Sequence, residues 1–248
     1  MKAENLDILM ISETNRNTSD MHRWDGYTVF YSTSIDPKVR EQEEKRRENL
    51  PKGKRKGKGK GIPSYDPFAY RSDPDYEKAG VGIVINNKLL RYLKDVKQIS
   101  GRSMHITLQA AGGDINFVSN YAPHAGYNLE DEDIFYETLS ETLNGIRGKF
   151  YIGGDFNARI YHVRDIDTEA IGPHIICRDE PYLATMAEGT RDSRNLFISF
   201  LKTQELIALN TVFDKPPDKL VTYQEKTKAD ENNPEHRKNG PPFDYTKY

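Results

Sequence analysis

A single cysteine, Cys177, is all the thiol this chain has. That excludes an intrachain disulfide framework and any cysteine-rich zinc site. Long apolar runs are missing too: none approaches the roughly 20 residues that a membrane-spanning helix needs, and no basic-then-apolar leader opens the sequence. Nor does one sign of charge dominate. Thirty-six Lys+Arg against 38 Asp+Glu leave −2 at pH 7, so bulk charge does not announce a nucleic-acid binder. These absences lead us to expect a soluble protein that works inside the cell and is not secreted. Its chemistry has to come from carboxylates, amides, His and Tyr.

What is present is enough for one large domain. The chain has 248 residues, 36% hydrophobic and 30% charged, and the charge is unevenly spread. Leu6 to Ile11 is a short, nearly continuous apolar run, too short for a helix and suited to a buried strand with Glu13 at its C-terminal mouth. Tyr27 to Tyr31 follows the turn signal Asp25-Gly26 and reads as a second strand, and Val81 to Ile85 as a third. Met104 to Leu108 alternates apolar with His and Thr, the mark of a half-buried strand, and Gly112-Gly113-Asp114 turns it into a hairpin with Ile115–Tyr121. Glu130 to Asp133 open an amphipathic helix carrying Ile134, Phe135, Leu139, Leu143 and Ile146, their negative charge suiting the helix dipole. Phe150 to Ile152 is a strand running into Gly153-Gly154-Asp155. Residues 161–190 read as a surface excursion. A second helix is capped by Asp192 or Ser193, with Leu196, Phe197, Phe200 and Leu201 on one stripe, and strands are expected at Leu206–Leu209 and Val221–Tyr223. The pattern predicts a single domain over 1–248 built on two packed sheets with helices outside.

Residues 36–79 stand apart. Glycines interleaved with basic residues from Lys52 to Gly61 support no helix, and like charges repel, so this is a flexible basic insertion. It serves either as a solvated linker or as an arm that meets phosphates through Lys54, Arg55 and Lys56.

The segment richest in chemistry is Phe150 to Ala158. Two glycines permit close approach, and Asp155 and Asn157, two positions apart, share a face in extended geometry while Phe156 points to the core. A carboxylate beside a carboxamide can hold and orient a water near a metal-bound phosphate. The simpler reading is an Asx turn closing a strand. Glu13 and the stretch Asn120-Tyr121-Ala122-Pro123-His124 also end strands, so three termini can converge at one sheet edge. A hard cation such as Mg²⁺ needs only one or two carboxylates there. Arg102, at a strand entrance, reads as a surface residue outside this set.

The ordered set Ile11-Ser12-Glu13-Thr14, Val81-Gly82-Ile83, Asn120-Tyr121-Ala122-Pro123, Gly154-Asp155-Phe156-Asn157-Ala158 and Val221-Thr222-Tyr223 resembles the endonuclease/exonuclease/phosphatase superfamily. Within it, the set is most similar to the apurinic-type endonuclease domain of non-LTR (RTE-like) retrotransposons. The resemblance implies a DNase I-like fold, a four-layer α/β sandwich of two mixed sheets flanked by helices. It also implies Mg²⁺-dependent cleavage of DNA phosphodiesters, with Mn²⁺ as a substitute ion and action in the nucleus on genomic DNA. By position, Glu13 resembles the metal-ligating glutamate and Asp155 the aspartate that orients or deprotonates water. Asn157 resembles its phosphate-facing neighbour, Tyr121 the tyrosine near the scissile phosphate, and His124 a phosphate contact.

Two parts of the family pattern have no counterpart. An Asn-bearing strand should precede the Glu13 strand, and a Ser-Asp-His segment should follow an Asp-Tyr strand near the end. Phe243-Asp244-Tyr245 superficially fits the latter, but Thr246-Lys247 follow, so Asp244 is read as lying ahead of the motif. The chain is therefore expected to be cut at both ends. Two alternatives stay open: a phosphatase of the same fold acting on small phosphoesters, and an inactive nucleic-acid-binding remnant.

Overall fold

The computed structural model describes residues 1, 5–16, 19–33, 80–124, 129–161, 167–175, 184 and 186–216. The basic insertion with Lys54, Arg55 and Lys56, the strand expected at Val221–Tyr223, and Asp244 lie outside the described residues. The chain divides into two compact units, Met1–His124 with Glu137–Asn157, and Ala125–Tyr136 with Ala158–Tyr248.

The first unit holds eight strands among its described residues: β1 (Ile8–Ser12), β2 (Met21–Trp24), β3 (Tyr27–Ser32), β4 (Val81–Asn86), β5 (Leu93–Ser100), β6 (Ser103–Ala110), β7 (Gly113–Tyr121) and β8 (Lys149–Asp155). One sheet has the order β1-β4-β3-β2, the other β5-β6-β7-β8. The expected pair of packed sheets is present, with one difference: the first is antiparallel throughout its described strands, and only the second is mixed, through the parallel pair β7–β8. The core between them is made by alternate residues of the central strands: Phe30 from β3, Val81, Ile83 and Ile85 from β4, and Met104, Ile106 and Leu108 from β6. The intervening β4 residue Val84 turns the other way, onto Val29 and Tyr31 of β3. Both faces of the first sheet therefore bury apolar side chains, which is why its strands read as continuous apolar runs.

The hairpin β6–β7 closes on Ala111 and Gly112, pairing Ala110 with Gly113. The polar face of β6 departs from expectation. His105 and Thr107 are as buried as the apolar face, because they bond within the sheet. Asn116 of β7 accepts from Thr107 Oγ1 at 2.9 Å and lies 2.9 Å from His105 Nε2, while its Nδ2 donates to the carbonyls of Arg147 and Lys149 at 2.9 and 3.0 Å. With Asn116 Oδ1 fixed as an acceptor, the His105 proton sits on Nε2. Burial pushes the His105 pKa down, so the ring is neutral. The same network pins the loop that enters β8.

Helix α1 spans Leu129–Asn144, with Glu130, Asp131 and Glu132 in its first turn as expected. Phe135, Leu139 and Leu143 are buried. Ile134 is 53% exposed and Ile146 lies beyond the helix end, so the apolar stripe is narrower than the sequence suggested.

The second unit is centred on helix α2 (Glu188–Thr203). It starts at cap position Ala187, not at Asp192 or Ser193. Ser193 has no need to cap, being buried inside the helix with its Oγ 2.9 Å from both Gly189 O and Glu132 Oε1. Ser193 Oγ–H is shared between the two acceptors, and burial raises the Glu132 pKa against the opposing effect of that bond. Phe197, Phe200 and Leu201 face inward as expected, with Ile198 in place of Leu196. The expected strand at Leu206–Leu209 is reduced to a bridge between Ala208 and Ile171, followed by a 3₁₀ turn at Leu209–Thr211. Of the excursion expected over 161–190, residues 162–166, 176–183 and 185 lie outside the described residues, and Asp167, Ala170 and Ile171 are buried, with Arg194 reaching Asp167 Oδ2 at 3.4 Å.

Candidate active site

The site forms in the first unit, where β1, β7 and β8 end. Two contacts draw β1 against the second sheet: Ser119 Oγ of β7 donates to Ile11 O at 3.3 Å, and Met10 occupies the space that a side chain on Gly153 would fill. Gly154, at φ +134°, lies so close to the Asn120 carbonyl that any Cβ would collide with it. The two glycines thus admit core and backbone, and their place in the sequence is explained by packing alone.

Glu13 follows β1 directly and takes a left-handed backbone, φ 52°. A non-glycine residue there costs on the order of 1 kcal/mol or more. Its carboxylate is exposed, yet it is held: Tyr121 Oη donates to Glu13 Oε1 at 2.9 Å. Tyr121 is buried at the end of β7, and its register partner in the parallel ladder is Asp155 at the end of β8. The ladder continues one step further, with Ala122 N donating to Asp155 O at 2.8 Å. Burial first, and then the bond to Glu13 and its negative charge, push the Tyr121 hydroxyl up to about 12. Asp155 adds to that rise, which places its charge within electrostatic reach of the same hydroxyl. Tyr121 is therefore a proton donor throughout the neutral range.

After Asp155 the chain leaves extended geometry. Asn157 N donates to Asp155 Oδ1 at 2.9 Å, and Asn157 is left-handed at φ 49°, so the segment is the Asx turn that the residue types also allowed. Asn157 Nδ2 donates to Ala122 O at 2.7 Å. One amide proton of Asn157 thus ties β8 to the segment after β7. His124 is exposed, three positions past Tyr121.

Glu13, Tyr121, Asp155 and Asn157 are therefore linked in turn, with Tyr121 between Glu13 and Asp155, where β1 of one sheet and β7 and β8 of the other end. The structure also adds a residue that the sequence reading set aside. Arg102, in the turn between β5 and β6, is only 7% exposed. Its guanidinium carbon lies 5.3 Å from the centre of the Tyr121 ring. The available signal was the pairing of β6 with β7, which sets the start of one strand beside the end of the other.

The groups that suit a hard divalent cation are the Glu13 and Asp155 carboxylates, both of residues exposed to water. Among the described residues no group of three or more His, Cys, Asp or Glu side chains is placed to hold a metal.

Neither a family model nor a curated protein matches the chain. Solved structures do. The AP endonuclease LMAP from Leishmania major is 13% identical over 82% of this chain and 59% of that one, with a TM-score of 0.45. The endonuclease domain of TRAS1, a telomere-specific non-LTR retrotransposon, is 14% identical over 56% and 55%, at 0.33. An endonuclease/exonuclease/phosphatase family protein from Leptotrichia buccalis is 17% identical over 63% and 56%, at 0.34. The chain spans 55% to 59% of the lengths of these three proteins.

Proposed function

We propose that the chain is a Mg²⁺-dependent phosphodiesterase of the endonuclease type, acting on DNA, with Mn²⁺ as a substitute ion. The observation that carries this reading is the bond from Tyr121 to Glu13 beside Asp155, in which three strands from the two sheets deliver oxygen groups where they end. A divalent ion held by Glu13 would supply positive charge that polarises the phosphate and stabilises the charge developing on it.

The chain's own groups do the rest. Tyr121, fixed as a donor, holds the Glu13 carboxylate in one orientation. Asp155, exposed and with Oδ1 engaged by Asn157 N, offers Oδ2 to a water and accepts its proton as the water attacks phosphorus in line, while the opposite P–O bond breaks and its leaving oxygen takes a proton from solvent. Asn157 fixes Asp155 through the Asx turn and presents its remaining amide atoms toward the phosphate side, where exposed His124 adds a donor. Lys54, Arg55 and Lys56 would add attraction to the DNA backbone that weakens as salt rises. If genomic DNA is the substrate, the protein works in the nucleus.

Nicking of supercoiled plasmid with Mg²⁺ tests this. Wild type should nick, EDTA should abolish nicking, and Glu13→Ala and Asp155→Asn should each lower the rate by at least about a hundredfold. Nicking by both variants at the wild-type rate would sink the assignment. Faster turnover of small phosphoesters than of DNA would move the substrate to the phosphatase class.

A further inference from the structure

Arg102 is held at several points around one residue, Tyr121. Its carbonyl accepts from Tyr121 N at 2.8 Å, its Nη1 donates to Tyr121 O at 3.5 Å, and its guanidinium lies over the Tyr121 ring. The turn that carries it is braced in its own right. Arg102 N donates to Ser100 Oγ at 3.0 Å, and Ser32 Oγ of the facing sheet donates to Ser100 O at 2.7 Å. A buried cation is costly to maintain, and an Arg at a strand entrance has an easy route to water. Here the side chain instead lies inward along the one tyrosine whose hydroxyl reaches Glu13.

We propose that Arg102 is a positioning residue for the reaction: it clamps the Tyr121 ring and backbone so that the hydroxyl meets Glu13, without itself touching substrate. This rests on the phosphodiesterase reading given above. A flat, five-donor guanidinium can cover an aromatic face and reach a carbonyl at once, which an ammonium cannot do. With the clamp gone, the ring can tilt about its side-chain bonds, and Glu13 loses its fixed orientation.

The test compares Arg102→Met, Arg102→Lys, Tyr121→Phe and the Arg102→Met/Tyr121→Phe double variant in plasmid nicking. Arg102→Met should lower kcat by roughly ten- to a hundredfold, the effect of misplacing an aligned group by about 1 Å, with KM for DNA unchanged. Arg102→Lys should fall between it and wild type. In the Tyr121→Phe background, Arg102→Met should add little, because both changes act through one hydroxyl. A raised KM with intact kcat would overturn the proposal and make Arg102 a DNA contact, and full additivity with Tyr121→Phe would overturn it as well.

A second measurement is independent of turnover. With ring-¹³C tyrosine, the Tyr121 NMR signal, identified by its loss in Tyr121→Phe, should shift and broaden in Arg102→Met. An unchanged signal refutes the clamp. Should Arg102→Met fail to fold, the same signal in Arg102→Lys decides. Wild-type protein that does not nick DNA counts against the phosphodiesterase reading, while the ring signal still judges Arg102.

Discussion

At the scale of single residues, Glu13 shows opposed demands on one position. Its left-handed backbone suits glycine, yet its carboxylate receives the Tyr121 hydroxyl. A hydrogen bond to a charged group contributes about 1.5–3 kcal/mol, of the same order as the backbone cost. The two terms separate by substitution. Glu13→Ala loses the bond and keeps the strain, whereas Glu13→Gly loses both, so Glu13→Gly should be the more stable by roughly 1 kcal/mol in urea denaturation. Both should be inactive. Equal midpoints would mean that the strain is no larger than the unfolded-state entropy that glycine adds. The residue scale is also where the sequence was most informative about the site. Glu13, Tyr121, Asp155 and Asn157 each followed an apolar strand, so the strand ends could be located before the sheets were. Arg102 was hidden for the opposite reason: a charged residue in a turn looks solvated until the strand beside it is known.

At the scale of elements, the alternating or continuous apolar strands were legible, and two edge strands were not. β2 (Met-His-Arg-Trp) is mostly exposed, so nothing in its composition marks it as part of a sheet. β5 buries Leu93 and Val96, three apart, because its pairing with β6 shifts between Leu93 and Asp95. A bulge breaks the two-residue period, and with it the pattern by which a strand is recognised. β8 supports a sharper expectation. Gly154→Ala sets a Cβ into the Asn120 carbonyl at a backbone angle that only glycine favours, whereas Gly153→Ala meets the movable end of Met10. The first should cost more than about 2 kcal/mol and the second about 1 kcal/mol. Chemical denaturation of the two variants measures the difference, and the reverse order would show that β8 is not held as described.

At the scale of the whole molecule, two buried titrating groups tilt stability with pH in opposite senses. The folded His105 pKa lies below the ordinary 6.5, so the unfolded chain takes up the proton first. That contribution is complete above pH 6.5 and is lost as pH falls toward the folded value. The folded Glu132 pKa lies above the ordinary 4.5, so the folded chain keeps the proton longer, and stability is lost as pH rises from 4.5 through the folded value. Glu132→Gln, whose amide oxygen can still accept from Ser193, should remove that second loss and be more stable than wild type at pH 7. His105→Gln should flatten the acid side. Urea midpoints from pH 4.5 to 8 check both, and a Glu132→Gln midpoint below wild type at pH 7 would mean that the fold favours the charged form of Glu132. Neither group was legible beforehand: the burial of His105 depends on Asn116, and that of Glu132 on Ser193, partners 11 and 61 positions away.

The two bonds from Asn116 to the carbonyls of Arg147 and Lys149 work as a ruler. They set the phase with which β8 enters its ladder, and every later rung inherits that phase, down to the one where Asp155 stands opposite Tyr121. An extra residue inserted between Ile146 and Lys149 has two ways to be absorbed. Looped out ahead of the ladder, it leaves the carboxylate in place; taken up by sliding, it sets Gly154 where Asp155 belongs and turns the acid to the opposite face.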